Sequence, residues 1–137
     1  MADLSITAIT VVDPATLITD RTASEAFAIG QPMYVSTAQY ALADATDTNK
    51  LGVKGISITS GSSGDYPILA GNGSRLELTG PTLTKGQAYV LSGSGTAGKI
   101  APFADLGSSD SVVELFVAET TSIVQVRIYV PDPAITL

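Results

Sequence analysis

Apolar and polar residues alternate with a period near two along almost the whole 137-residue chain, the pattern of half-buried β-strands. Leu4, Ile6 and Ala8 share one face of a first strand that continues to Val12. Asp13-Pro14 ends it, because proline cannot donate to a ladder. Residues 15–25 carry no clean period. Thr22 and Glu25 have the spacing of a capping box, but Gly30 and Pro32 would cut any helix short, and the segment is read as extended or irregular. From Gly30 onward the chain predicts strands at 33–37 and 40–43, joined by a hairpin in 36–39, and then at 52–59, 66–70, 75–79, 87–92 and 99–101. Pro67 marks 66–70 as an edge or a strand start. Gly71-Asn72-Gly73 supplies positive φ for a tight turn. Strands at 112–119 and 122–130 close the series as a hairpin, with Val113, Leu115 and Val117 facing Ile123 or Val124, Val126, Ile128 and Val130.

About ten short strands at spacings of about 8–12 residues, separated by Gly/Ser turns, predict an all-β single domain, a β-sandwich or a partly closed β-barrel with extended terminal segments. The expected organisation is an N-terminal strand or arm over 1–14, a β-domain over 15–130 and an extended C-terminal tail over 131–137. One phrase occurs twice: Gly30-Gln31-Pro32-Met33-Tyr34-Val35 and Gly86-Gln87-Ala88-Tyr89-Val90-Leu91. A polar turn and an Ala-Asp step follow each (Ala43-Asp44, Ala104-Asp105), and then an apolar strand at 51–58 or 112–118. Two related units, at about 28–59 and 84–119, are therefore expected. In each, glycine gives the bend and the residues after it pack an aromatic and a β-branched or branched side chain.

Charged residues make up only 15% of the chain, and 14 Ser and 16 Thr take positions that charges usually fill. Hydroxyl-rich surfaces suit strands, and they also suit faces that end against a partner. The net charge of −6, with seven scattered basic residues, disfavours nucleic acid and anionic membrane surfaces. No apolar stretch approaches the roughly 20 residues of a membrane span. Without cysteine there is no thiol nucleophile, and without histidine there is no Ser-His-Asp triad and no histidine-bound zinc. The acids are spread singly, mostly in turns, so an enzyme is not expected. The absence of a signal-like start points to folding in a cytoplasm.

Four groups of candidate residues remain. Asp44, Asp47 and Asn49 place three oxygen ligands in six residues, a weak cation candidate without the EF-hand glycine or closing glutamate; no cofactor is expected. Leu4, Ile6, Ile135 and Leu137 are the candidates for partner contact through the terminal segments. Tyr34, Tyr89, Phe103 and Phe116 are read as core. Tyr40, Tyr66 and Tyr129 are the aromatics that could face a sugar.

The run Thr84-Lys85-Gly86-Gln87-Ala88-Tyr89-Val90-Leu91-Ser92, with Ala97 to Pro102, Ala104-Asp105-Leu106 and the strands at 112–119 and 123–130, resembles small β-rich proteins of tailed bacteriophages. These are capsid decoration (cement) proteins and related head-surface proteins. The likeness is best over 84–130, weaker over 28–59 and vague over 1–27, and residues 13–28 have no counterpart in it. It implies a homotrimeric β-domain on the outside of an icosahedral head, bridging neighbouring major capsid protein subunits and stabilising the shell. It implies no cofactor and no active site. Synthesis in a bacterial cytoplasm and residence in the virion would follow. Related β-units also occur in fibre and tail proteins, so the alternative is a module contacting host glycan or another virion protein.

Overall fold

The computed structural model describes residues 3–137; Met1 and Ala2, the start of the expected arm, lie outside the described residues. Its strands are β1 (Ala8–Asp13), β2 (Leu17–Ile18), β3 (Pro32–Ser36), β4 (Gln39–Leu42), β5 (Val53–Ser57), β6 (Leu69–Ala70), β7 (Arg75–Thr79), β8 (Ala88–Leu91), β9 (Ile100–Pro102), β10 (Glu114–Ala118) and β11 (Ile123–Tyr129). Single 3-10 turns occupy Thr48–Lys50 and Phe103–Asp105. A six-stranded sheet runs β1-β7-β11-β10-β8-β9, and a five-stranded sheet runs β2-β6-β5-β3-β4. Every pairing between these strands is antiparallel. The sheets are not closed into a barrel, so the expectation resolves to the sandwich. Residues 15–25 are extended or irregular as read: Leu17–Ile18 pair with β6, and Ala23 bridges Tyr40.

The repeated phrase is the lead-in to a repeated four-strand unit. The first unit orders its strands β6-β5-β3-β4 and the second β11-β10-β8-β9, so each sheet is built around one copy. The glycines match in conformation, φ +85° at Gly30 and +83° at Gly86. They match in bonding too. Gly30 N–H donates to Ser57 O and Gly86 N–H to Ala118 O, both at 2.7 Å. Ser57 N–H donates back to Gln31 O at 2.9 Å and Ala118 N–H to Gln87 O at 3.0 Å. Even the bulge is shared: Met33 and Tyr34 oppose Gly55 and Val53, while Tyr89 and Val90 oppose Phe116 and Glu114. By this register Met33, and not Tyr34, corresponds to Tyr89. Each unit also runs one strand beyond the spans read from the sequence, through β6 or β11.

The copies are stacked in the same sense, with opposite faces meeting. Tyr89, Leu91, Ile100 and Phe116 of the second copy lie in the core shared by the sheets. Their counterparts Met33, Val35 and Tyr40 point the other way, into a second cluster closed by Ala23, Phe27 and Ile18. The first copy contributes Val53 and Ile56 to the shared core, with Tyr34 packed against it. Segment 18–27 thus covers the far face of the five-stranded sheet, stitched on by Ala23 N–H to Asp65 O at 2.8 Å and Phe27 N–H to Gly61 O at 3.0 Å.

Two core expectations are corrected. The bulge at Leu115 shifts the alternation of β10, so Leu115, Phe116 and Ala118 are buried while Val117 turns outward and is half-buried. Phe103 opens the 3-10 turn after β9 and is 47% exposed rather than core. Tyr89 and Phe116 are core and stack at 5.5 Å between ring centroids, and Tyr34 is half-buried.

Candidate functional site

From Asp3 onward the N-terminal segment is bonded to the domain, as is the C-terminal tail. Leu4 N–H donates to Ile100 O at 2.7 Å and Thr7 N–H to Thr79 O at 2.8 Å, which lays the N-terminal segment across β9 and β7. The Asp3 carboxylate accepts from the hydroxyls of Ser92 and Ser94. Leu4 and Ile6 pack against the domain's own core, and Ile6 seats on Gly30, where a Cβ would come within 2.8 Å of it. The C-terminal tail is held in the same way. Ser109 N–H donates to Leu137 O at 2.7 Å, Leu137 N–H to Asp110 O at 2.9 Å and Val112 N–H to Ile135 O at 2.8 Å. Its backbone is fixed, yet Ile135 is 51% and Leu137 48% exposed. Of the four residues read as contacts, Leu4 and Ile6 are half-buried against the domain's own core, and Ile135 and Leu137 are about half exposed.

The hub under the tail is Asp110. It is buried, its carboxylate accepts Gly107 N–H at 2.8 Å, and it lies where a Cβ on Gly93 would overlap it. Ser111 N–H donates to Ala45 O at 3.0 Å, tying this loop to the loop that holds the cation candidates. There the carboxylates serve the turn. Asp44 Oδ1 accepts from Thr46 N–H at 2.9 Å and from its hydroxyl at 2.7 Å. Asp47 Oδ1 accepts Asn49 N–H at 2.9 Å and caps the 3-10 turn. Asn49 enters this arrangement through its backbone. Among the described residues no three His, Cys, Asp or Glu side chains gather as metal ligands.

The aromatic candidates divide. Tyr40 is buried, and its hydroxyl donates to Asp20 Oδ1 at 2.7 Å. Burial first, and then that hydrogen bond, push its pKa up to about 12. Tyr66 and Tyr129 are exposed.

Tyr129 lines a groove of about 440 Å³ beside β11, with Asn72, Glu114, Gln125 and Arg127. Gln125, Arg127 and Tyr129 are alternate, outward positions of one strand, and Glu114 is Tyr129's cross-strand partner on β10. Asn72 Oδ1 accepts Ile128 N–H at 2.5 Å, past the end of β7, which brings the Gly71-Asn72-Gly73 turn to the groove wall. Among the described residues Glu114 and Arg127 form no ion pair, although they line the same space. Sequence reading singled out Tyr129 but missed the groove around it. Its signal was three planar polar or aromatic side chains in a row on the outward face of 123–129; what could not be read was the register that sets Glu114 beside Tyr129. No protein-family model matches the chain, and no curated protein matches it.

Proposed function

We propose that this chain is a structural virion protein that binds the outside of an assembled phage capsid and bridges neighbouring major capsid protein subunits, acting as a homotrimer without catalysis. The observation that carries the reading is the C-terminal tail. Its backbone is fastened to residues 109–112 while Ile135 and Leu137 stay half exposed. Apolar side chains on a backbone already fixed need no further backbone ordering when a partner covers them, so the contact gains affinity from preorganisation. The composition of the chain suits the same role. Hydroxyl side chains outnumber charges, 30 Ser and Thr against 20 Lys, Arg, Asp and Glu, and a hydroxyl is less costly to bury than a charge. Capsid stabilisation would then be mass action: the protein binds the assembled shell and not dispersed subunits. The test is addition of purified protein to phage heads that lack it. Wild type should bind and raise the temperature at which the heads open, and I135S/L137S should bind more weakly while melting as a free protein like wild type. Heads that neither bind the wild type nor gain stability overturn the reading.

A further inference from the structure

We propose that the groove beside β11 is a binding site for a neutral saccharide of one or two rings. Its volume of about 440 Å³ falls in the range of small-ligand sites. Its groups match what a sugar offers. A pyranose presents a C–H face that rests on an aromatic ring, and Tyr129 is a platform that is 60% exposed. Around that face the sugar's hydroxyls both donate and accept. Glu114 supplies acceptors, Arg127 supplies donors and Gln125 supplies both. Asn72 spends its Oδ1 on Ile128 N–H, which orients the amide and leaves the Nδ2 hydrogens without a partner among the described residues.

Charge selects the class. One carboxylate and one guanidinium balance, so an anion such as phosphate finds no excess of positive charge, least of all in a chain of net charge −6. The backbone selects it too. The Val126 N–H already donates to Ser74 O at 2.8 Å, and Ile128 N–H is taken by Asn72. β11 is also an interior strand, paired with β7 and β10. An added peptide strand therefore has no free donors here, whereas a ligand read by side chains does. Four of the five side chains stand on paired strands and the fifth, Asn72, on the turn docked against them, so the site is preorganised.

The experiment is a titration of the isotope-labelled chain with lactose, mannobiose and diacetylchitobiose, followed by backbone amide shifts. At least one should give saturable shifts confined to residues 72–73, 114 and 125–129. Y129A and E114Q should each weaken binding by at least about tenfold, and Y66A should leave it unchanged. Y129A and E114Q should retain the wild-type amide pattern elsewhere, since both side chains lie at the surface. Absence of saturable shifts in the groove with all three sugars overturns the proposal, as does Y129A binding like wild type or inorganic phosphate binding more tightly than any sugar. The proposal is independent of the capsid reading, whose test runs through Ile135 and Leu137, so the two can fail separately.

Discussion

The Arg75 guanidinium and the Glu119 carboxylate meet across β11, joining β7 to the end of β10. Nε lies 3.1 Å from Oε1 and Nη2 lies 2.9 Å from Oε2, a two-pronged geometry. The hydrogen bond to Glu119 raises the Arg75 pKa further above its ordinary value. Both side chains are about a third exposed, so water and salt weaken the pair. E119Q should therefore lower the melting temperature slightly at low salt, and the gap to wild type should close near ~1 M salt, where screening acts over ~3 Å. A gap that persists at high salt would show that packing, rather than charge, carries the contact.

The two matched glycines give a sharper test of the repeat. Both have positive φ, so alanine at either position adds backbone strain of about 1–2 kcal/mol. Gly86 has open space where a Cβ would go, whereas Gly30 has Ile6 within 2.8 Å. G86A should cost only the strain. G30A should cost more, by about 1–3 kcal/mol for overpacking, and should unseat the N-terminal segment. Urea unfolding of both variants measures this, and equal losses would contradict the seating of Ile6 on Gly30.

Between β3 and β4 the chain turns through Thr37 and Ala38, with φ of +50° and +65°. Two consecutive positive φ values in a two-residue hairpin loop are the signature of a type I′ turn, which favours Asn-Gly. A β-branched residue there is strained. The double substitution T37N/A38G should stabilise the protein by about 1–3 kcal/mol, read as a higher denaturant midpoint with an unchanged slope.

Tyr40 sets an alkaline limit. Its pKa is ordinary, near 10.0, in the unfolded chain and about 12 in the folded one. Between those values the unfolded chain has lost the proton and the folded chain retains it, so stability is full below pH 10 and falls as pH rises toward 12. Denaturant midpoints measured across that window should drop for wild type, with a shallower drop in Y40F. An absorbance titration should show one tyrosine ionising later than the rest.

The alternation of apolar and polar residues made most strands legible: β7 falls where 75–79 was read, and β3, β5, β8, β9 and β11 lie within a residue or two. What escaped was what register decides. Leu115 sits in a bulge, and a bulge flips every side chain beyond it, so Val117 went from expected core to outer face while Phe116 took its place. Phe103 was assigned by residue type, and a 3-10 turn carried it to the surface. For the terminal residues, hydrophobicity identified segments that dock, but not on what: Leu4 and Ile6 found their own core. The groove depends on Glu114 lying opposite Tyr129, a pairing between strands that local pattern cannot specify.

Because the copies stack in the same sense, the fold behaves as a two-repeat array with two different ends. At one end segment 18–27 acts as a terminal cap over Met33, Tyr40 and Leu69. At the other, the register positions that in the first copy hold the buried Val53 and Ile56 hold the half-buried Glu114 and Val117. A charge where its twin has valine is costly to bury under a third layer, as with the polar terminal repeats of solenoids. Substituting Glu114 with valine would reopen that end, turning a finite pair into a seed for open-ended association.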